Sequence, residues 1–293
     1  MQDVKPLSMS FHPHILIFDS GVGGLSVARE VQSAYPQCKI TYASDNAQFP
    51  YGTKKAEWLM DRVERVLREL IRTIQPDVIV IACNTASTLT LSHLRHHFNT
   101  PFVGVVPAVK PAAQMTTTKT IGMLATPATV SRSYTRQLID DYANDCTLIL
   151  HGSSELVFQA ERKLLGQSID LSCLSHELRC LTDDPRAQKM DTIILACTHF
   201  PLLLSELKEL ALPHQFQWVD SGEAIARRVG YWLAQLSCND LSRSENLARS
   251  EEKYPGAHQV IFTAPSPAWP KLQANLPQYL GAGPLPDLEI LEI

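Results

Sequence analysis

Two cysteines define the chemistry open to this chain. Cys83 ends the run Val78-Ile79-Val80-Ile81-Ala82, and Cys197 ends Thr192-Ile193-Ile194-Leu195-Ala196. A continuous β-branched run reads as a strand buried on both faces, the habit of parallel sheets under helices. Asn84, Thr85 and Ser87, residues that cap a helix start, follow the first cysteine. The thiol therefore falls at the carboxyl end of a strand and the amino end of a helix. Open α/β sheets bind ligands there, and helix amides favour an anion such as a thiolate. A lone unpaired cysteine is most often a small buried hydrophobe. The second copy, 114 residues later, breaks that tie in favour of an organised pair.

Two opposed acid/base groups suit the inversion of a stereocentre. One takes the proton from one face of a carbon while the other delivers a proton to the opposite face. A free thiol has a pKa of about 8.5, near enough to neutral for one thiolate and one thiol to share the work. The carbanion-like intermediate needs preorganised donors at its carboxylate. Amides at Ser20–Gly24 and Asn84–Thr85, with the hydroxyls of Thr126, Thr129 and Thr198, are groups of the right kind, so no arginine is obligatory.

The elements that position these groups repeat. A strand at 14–19 enters Ser20-Gly21-Val22-Gly23-Gly24, whose glycines allow close backbone approach. Its spacing is not GxGxxG, so a nucleotide reading is weak, and a capping role is the plain alternative for Asp19. A strand at 39–44 leads to the turn Pro50-Tyr51-Gly52, which leaves Tyr51 beside exposed amides at the sheet edge. A helix over 55–74 reads as a solvated cover. After the Cys83 strand come a helix over 87–98 and a strand over 102–106. The order then restarts with strands at 120–126, 147–151, 192–197 and 216–220. Helices open at Pro127 and cover 153–165 and 222–228.

This duplicated plan predicts two doubly wound α/β domains, each with strand order 2-1-3-4 and its switch point between strands one and three. Asp19 then sits within about 5–10 Å of Cys83, from strand spacing. The two sulfurs face one cleft, within about 6–9 Å across a single carbon. The expected division is 1–106 plus 222–293 for the Cys83 domain and 107–221 for the Cys197 domain. The segment 239–253 reads as an exposed connection and 265–270 as a loop. Short runs at 259–263 and 288–291 read as edge strands returning to the first domain.

Composition narrows the class further. The 293 residues are 45% apolar and 19% charged with net charge −4, which suggests neither disorder nor a nucleic-acid or anionic-membrane partner. Seven scattered cysteines without a CxxC pair argue against a zinc or disulfide framework and favour a reducing cytoplasm. No signal peptide is expected, and no apolar run reaches the ~18 residues of a membrane span.

The motifs FDSGVGGLSV (18–27), FPYG (49–52), ACNTAS (82–87), VGVVPA (103–108), TVSRSY (129–134) and CTHFPLL (197–203) together resemble the glutamate racemase family from about Ile15 to Val229. The resemblance implies a flavodoxin-like α/β pair and cofactor-independent interconversion of L- and D-glutamate for peptidoglycan, with no metal. It implies that Cys83 serves the D-enantiomer and Cys197 the L-enantiomer, helped by Asp19, His199 and Glu161. Ser20, Tyr51, Gly52, Asn84, Thr85, Thr126, Thr129, Thr198 and His199 resemble the family's substrate contacts. Aspartate racemases usually carry glutamate where this chain has His199, which favours glutamate as substrate. The VVPAVKPAA stretch resembles the subgroup activated by a nucleotide-linked cell-wall precursor, and the family allows a homodimer. A related racemase or decarboxylase acting on aspartate, a hydantoin or a malonate, and a two-lobed amino-acid binder without chemistry, are the competing readings.

Overall fold

Strand pairing follows the duplicated plan. In the computed structural model, which describes residues 12–239, 254 and 256–293, β1 (His14–Asp19), β2 (Lys39–Ser44), β3 (Val78–Ile81) and β4 (Phe102–Gly104) alternate with α1 (Leu25–Ala34), α2 (Ala56–Ile74) and α3 (Asn84–His97). A second set, β5 (Thr120–Ala125), β6 (Thr147–Gly152), β7 (Thr192–Leu195) and β8 (Gln217–Val219), forms its own parallel sheet in the order β6-β5-β7-β8. β9 (Gln259–Phe262) and β10 (Leu288–Ile290) extend the first sheet, whose order is β10-β9-β2-β1-β3-β4. Both sheets thus contain the 2-1-3-4 arrangement.

Alternate residues of each central strand feed opposite faces, as period-two side chains require. Ile15, Ile17, Val78 and Val80 join one apolar cluster, while Leu16, Phe18, Ile79 and Ile81 join another. The first cluster continues into the second sheet through Leu124, Ile149, Ile193 and Leu195, so one core face is shared by the two halves. The outer face of the second sheet buries Ile121, Met123 and Ile194 against α4 (Val109–Met115). Helix α10 (Gly222–Asn239) returns to pack on α1, β3 and β4.

Several elements depart from expectation. α3 starts at Asn84 rather than residue 87, because Cys83 itself is the N-cap. No such helix follows Cys197 directly: a 3₁₀ turn over Phe200–Leu203 stands there, with Pro201 in it, and α9 (Leu204–Leu210) begins only afterwards. α4 and α8 (Leu171–Thr182) fall where no helix was expected. Asp170 caps α8 by accepting from the amides of Ser172 and Cys173 at 2.9 and 3.2 Å. The loop expected over 265–270 holds through residue 268, where a helix, α11 (Trp269–Asn275), begins, followed by α12 (Pro277–Leu280). The expected connection over 239–253 lies, beyond Asn239, outside the described residues, as does the leader before His12.

Candidate active site

Register sets the two central strands side by side. Phe18 pairs with Ile81, and the Ala82 amide donates to the Phe18 carbonyl at 2.7 Å, so Asp19 and Cys83 leave the sheet together. In the other half β5 and β7 bring Thr126 and Cys197 out in the same way. The two exits face one another across a cavity of about 190 Å³. Cys83 and Cys197 both line it, each only 7% exposed, from different sheets. Ser20, Tyr51, Gly52, Asn84, Thr85, Thr126, Thr198 and His199 line it as well.

Each thiol has its own set of polar neighbours. On one side the Ser20 hydroxyl lies 3.8 Å from Cys83 Sγ and 3.4 Å from Asp19 Oδ1. Asp19 is fully buried; it takes the Ser20 amide at 2.6 Å and the Thr198 hydroxyl at 3.2 Å. It therefore stands behind Ser20 and does not line the cavity. Burial pushes its carboxyl pKa up, only partly offset by His199. Burial, then the neighbouring Asp19, raises the Cys83 thiol too.

On the other side His199 Nδ1 lies 3.8 Å from Cys197 Sγ and its Nε2 lies 2.8 Å from Glu161 Oε1. Burial works against a charged ring here, but the bonds to Cys197 and Glu161 outweigh it and hold His199 well above the ordinary histidine range. Glu161, on α7 (Glu155–Leu164), also stands one layer back from the cavity, as does Thr129, which bonds Thr126 Oγ1 at 2.9 Å.

The glycine loop has a use that spacing could not reveal. Its Val22 amide donates to Glu161 Oε1 at 2.7 Å, and its Ser20 amide to Asp19, so these amides bind the protein's own carboxylates rather than a ligand's. A Cβ on Gly21 would meet Glu161 Oε1 at 2.2 Å, and one on Gly23 would meet His199 Nδ1 at 2.3 Å. Only glycine admits the His199–Glu161 pair at that distance. Amides of the kind that receive a ligand carboxylate stand at Asn84 and Thr85, the first of α3.

Asn84 donates its side-chain amide to the Ala196 carbonyl at 2.5 Å, and its own buried Oδ1 has no partner among the described residues. Such an acceptor beside a cavity suits an ammonium group. Tyr51 turns its hydroxyl away, onto Asp45 Oδ2 at 2.6 Å, so it offers the cavity ring and backbone only. Asp45 is held in turn by Arg62 at 2.7 Å, a buried residue of the helix that sequence reading took as a solvated cover. Sequence reading also missed Phe49, Val157 and Phe158, whose apolar side chains wall the cavity. It missed Arg132 too, which crosses from the second half to the Thr85 carbonyl at 3.3 Å and to the Thr88 hydroxyl. Phe49 lay inside FPYG and Arg132 inside TVSRSY without a reason to single either out.

The arrangement can hold a small anion-bearing substrate between two thiols and exchange protons on either face. Residues 25–229 match the Asp/Glu/Hydantoin racemase family. The chain belongs to that family. It is 48% identical over 245 residues to the glutamate racemase of Pectobacterium atrosepticum, covering 83% of this chain and 84% of that one. It is 46% identical over 241 residues to that of Pasteurella multocida, covering 82% and 88%. Among solved structures it resembles Escherichia coli glutamate racemase in complex with L-glutamate and the activator UDP-MurNAc-Ala, with a TM-score of 0.82 and 39% identity over 96% of this chain and 99% of that one. The racemase family thus holds against the reading as a binder without chemistry.

Proposed function

We propose that this chain racemises glutamate with two thiols, supplying the D-enantiomer for peptidoglycan. The observation that carries the reading is the pair Cys83 and Cys197 on one cavity, each with its own set of polar neighbours. The substrate α-carboxylate sits on the Asn84 and Thr85 amides, and its ammonium on Asn84 Oδ1. With L-glutamate, His199 takes the Cys197 proton, and the resulting thiolate removes the α-proton. Cys83, kept protonated by its raised pKa, gives its proton to the opposite face. One C–H bond breaks and one forms; Cys197 ends as the thiol and Cys83 as the thiolate, with the proton first taken from Cys197 held on His199. With D-glutamate Cys83 is the base, and Asp19, through Ser20, is the group poised to receive its proton. The identity to curated glutamate racemases supports glutamate over other acids.

A nucleotide-linked precursor is the proposed activator. The stretch that suggested it lines a second cavity, of about 340 Å³, with Val106, Pro107 and Lys110 beside Tyr134, Tyr142 and Arg228. Two cations and two phenol rings suit a phosphate-linked base, and the E. coli structure with its activator supports this. Circular dichroism of purified protein with L-glutamate, with and without UDP-MurNAc-Ala, tests both. Decay of the signal to zero is expected, faster with the precursor. A persistent signal under both conditions would overturn the reading.

A further inference from the structure

Glu64 on α2 and His93 and His97 on α3 gather on the face where the two helices pack, each offering one ligand atom within 4.8 Å of the others. The histidines are four residues apart, so both project from one side of α3. His93 Nε2 meets Glu64 Oε2 at 2.6 Å, and the two imidazole rings lie 4.1 Å apart. His97 Nδ1 lies 2.8 Å from the His93 carbonyl, which accepts only, so the proton sits on Nδ1 and Nε2 carries the free lone pair. Glu64 Oε1 is tied by Arg68 at 2.5 Å, leaving Oε2 for the cluster. A backbone bond to the His97 ring and the Arg68 bond to the Glu64 carboxylate are outer contacts of the kind that orient metal ligands.

We propose that these three residues form a site for a divalent transition metal, of which zinc is the type. Two imidazoles and one carboxylate match zinc, nickel, copper or cobalt, and disfavour calcium and magnesium. Three protein ligands leave one position for water. The site is structural: it clamps the last turn of α3 to α2, about 20 Å along the helix from the turn that carries Asn84 and Thr85. It is independent of the racemase reading. The absence of CxxC bears only on cysteine sites, and this cluster uses none.

Cobalt(II) titrated into chelator-stripped full-length protein tests the proposal, because its visible bands report coordination and a near-ultraviolet thiolate band reports cysteine. That band separates this site from the active-site thiols and from the exposed Cys180, 4.0 Å from His176. A binding component without the thiolate band is expected. His97→Ala and Glu64→Gln should each weaken it by about tenfold or more. Zinc should raise the wild-type melting temperature with concentration, and this rise should vanish in His97→Ala, an exposed position whose metal-free melting stays unchanged. Binding that shows only the thiolate band, no component weakened by both substitutions, or no binding up to about 1 mM metal would overturn the proposal.

Discussion

Asn84, the residue after one thiol, donates its side-chain amide to the carbonyl of Ala196, the residue before the other, at 2.5 Å. The two loops that carry the cysteines are thereby tied directly, across 112 residues of sequence. The spacing of the sulfurs is set by this bond as well as by the sheets behind them.

Asn84→Ala should therefore keep the fold and lose turnover. Positional error of about 1 Å at reacting groups costs roughly a hundredfold in rate, and loss of one hydrogen bond costs about 1 kcal/mol of stability. Racemisation rates and urea midpoints for the variant check both figures. Near-normal turnover would mean that the sheets alone set the thiol spacing.

Two glycine substitutions separate packing from space. Gly23→Ala places a methyl against the His199 ring and should cut activity by about a hundredfold or more. Gly52→Ala meets nothing within 4 Å among the described residues and lines the cavity, so it should fold normally and raise KM. Steady-state kinetics of the pair, with melting curves, distinguish the two. Equal effects from both would contradict the placement of the loop under His199.

Asp45 accepts from Arg62, Tyr51 and Thr263, linking the cavity-side turn to the segment after β9. Burial opposes its charge, but the bonds from Arg62, Thr263 and Tyr51 outweigh it and lower its pKa. Its stabilising contribution is full above the ordinary carboxylate value of about 3.9 and is lost as pH falls through the lowered folded value. Asp45→Asn should cost about 3 kcal/mol at neutral pH, since it leaves Arg62 buried without its charge partner. The gap between wild-type and variant urea midpoints should narrow from about pH 5 downwards. A gap independent of pH would show that the carboxylate charge is not what matters.

Much of this was legible in the residues because parallel sheets write themselves as apolar runs. Val78–Ile81 and Thr192–Leu195 announced their strands, and the motifs after them placed both thiols at the sheet edges. What stayed hidden depends on contacts between the halves. Glu161 looked like any acidic residue of an amphipathic helix until α7 brought it to the Val22 amide. Arg62 looked solvent-facing because nothing in its helix reports Asp45, seventeen residues away. The glycine loop read as a ligand cradle because local sequence cannot say whose carboxylate its amides receive.

The central claim is that each thiol serves one face. Overall rates cannot test it, because enantiomers are equal in free energy and any variant must have the same kcat/KM in both directions. Elimination can. A glutamate bearing a halide at Cβ loses it once the α-proton anti to the halide is removed, and this needs a base but no strong acid opposite. Cys83→Ser and Cys197→Ser should both lose racemisation of glutamate, since the serine hydroxyl is a far weaker acid than a thiol and so neither gives up its proton nor ionises to take one. Each should still eliminate halide from one enantiomer of the analogue: Cys83→Ser from the L-form, through Cys197, and Cys197→Ser from the D-form, through Cys83. Halide release from the same enantiomer by both variants would contradict the assignment of one thiol to each face.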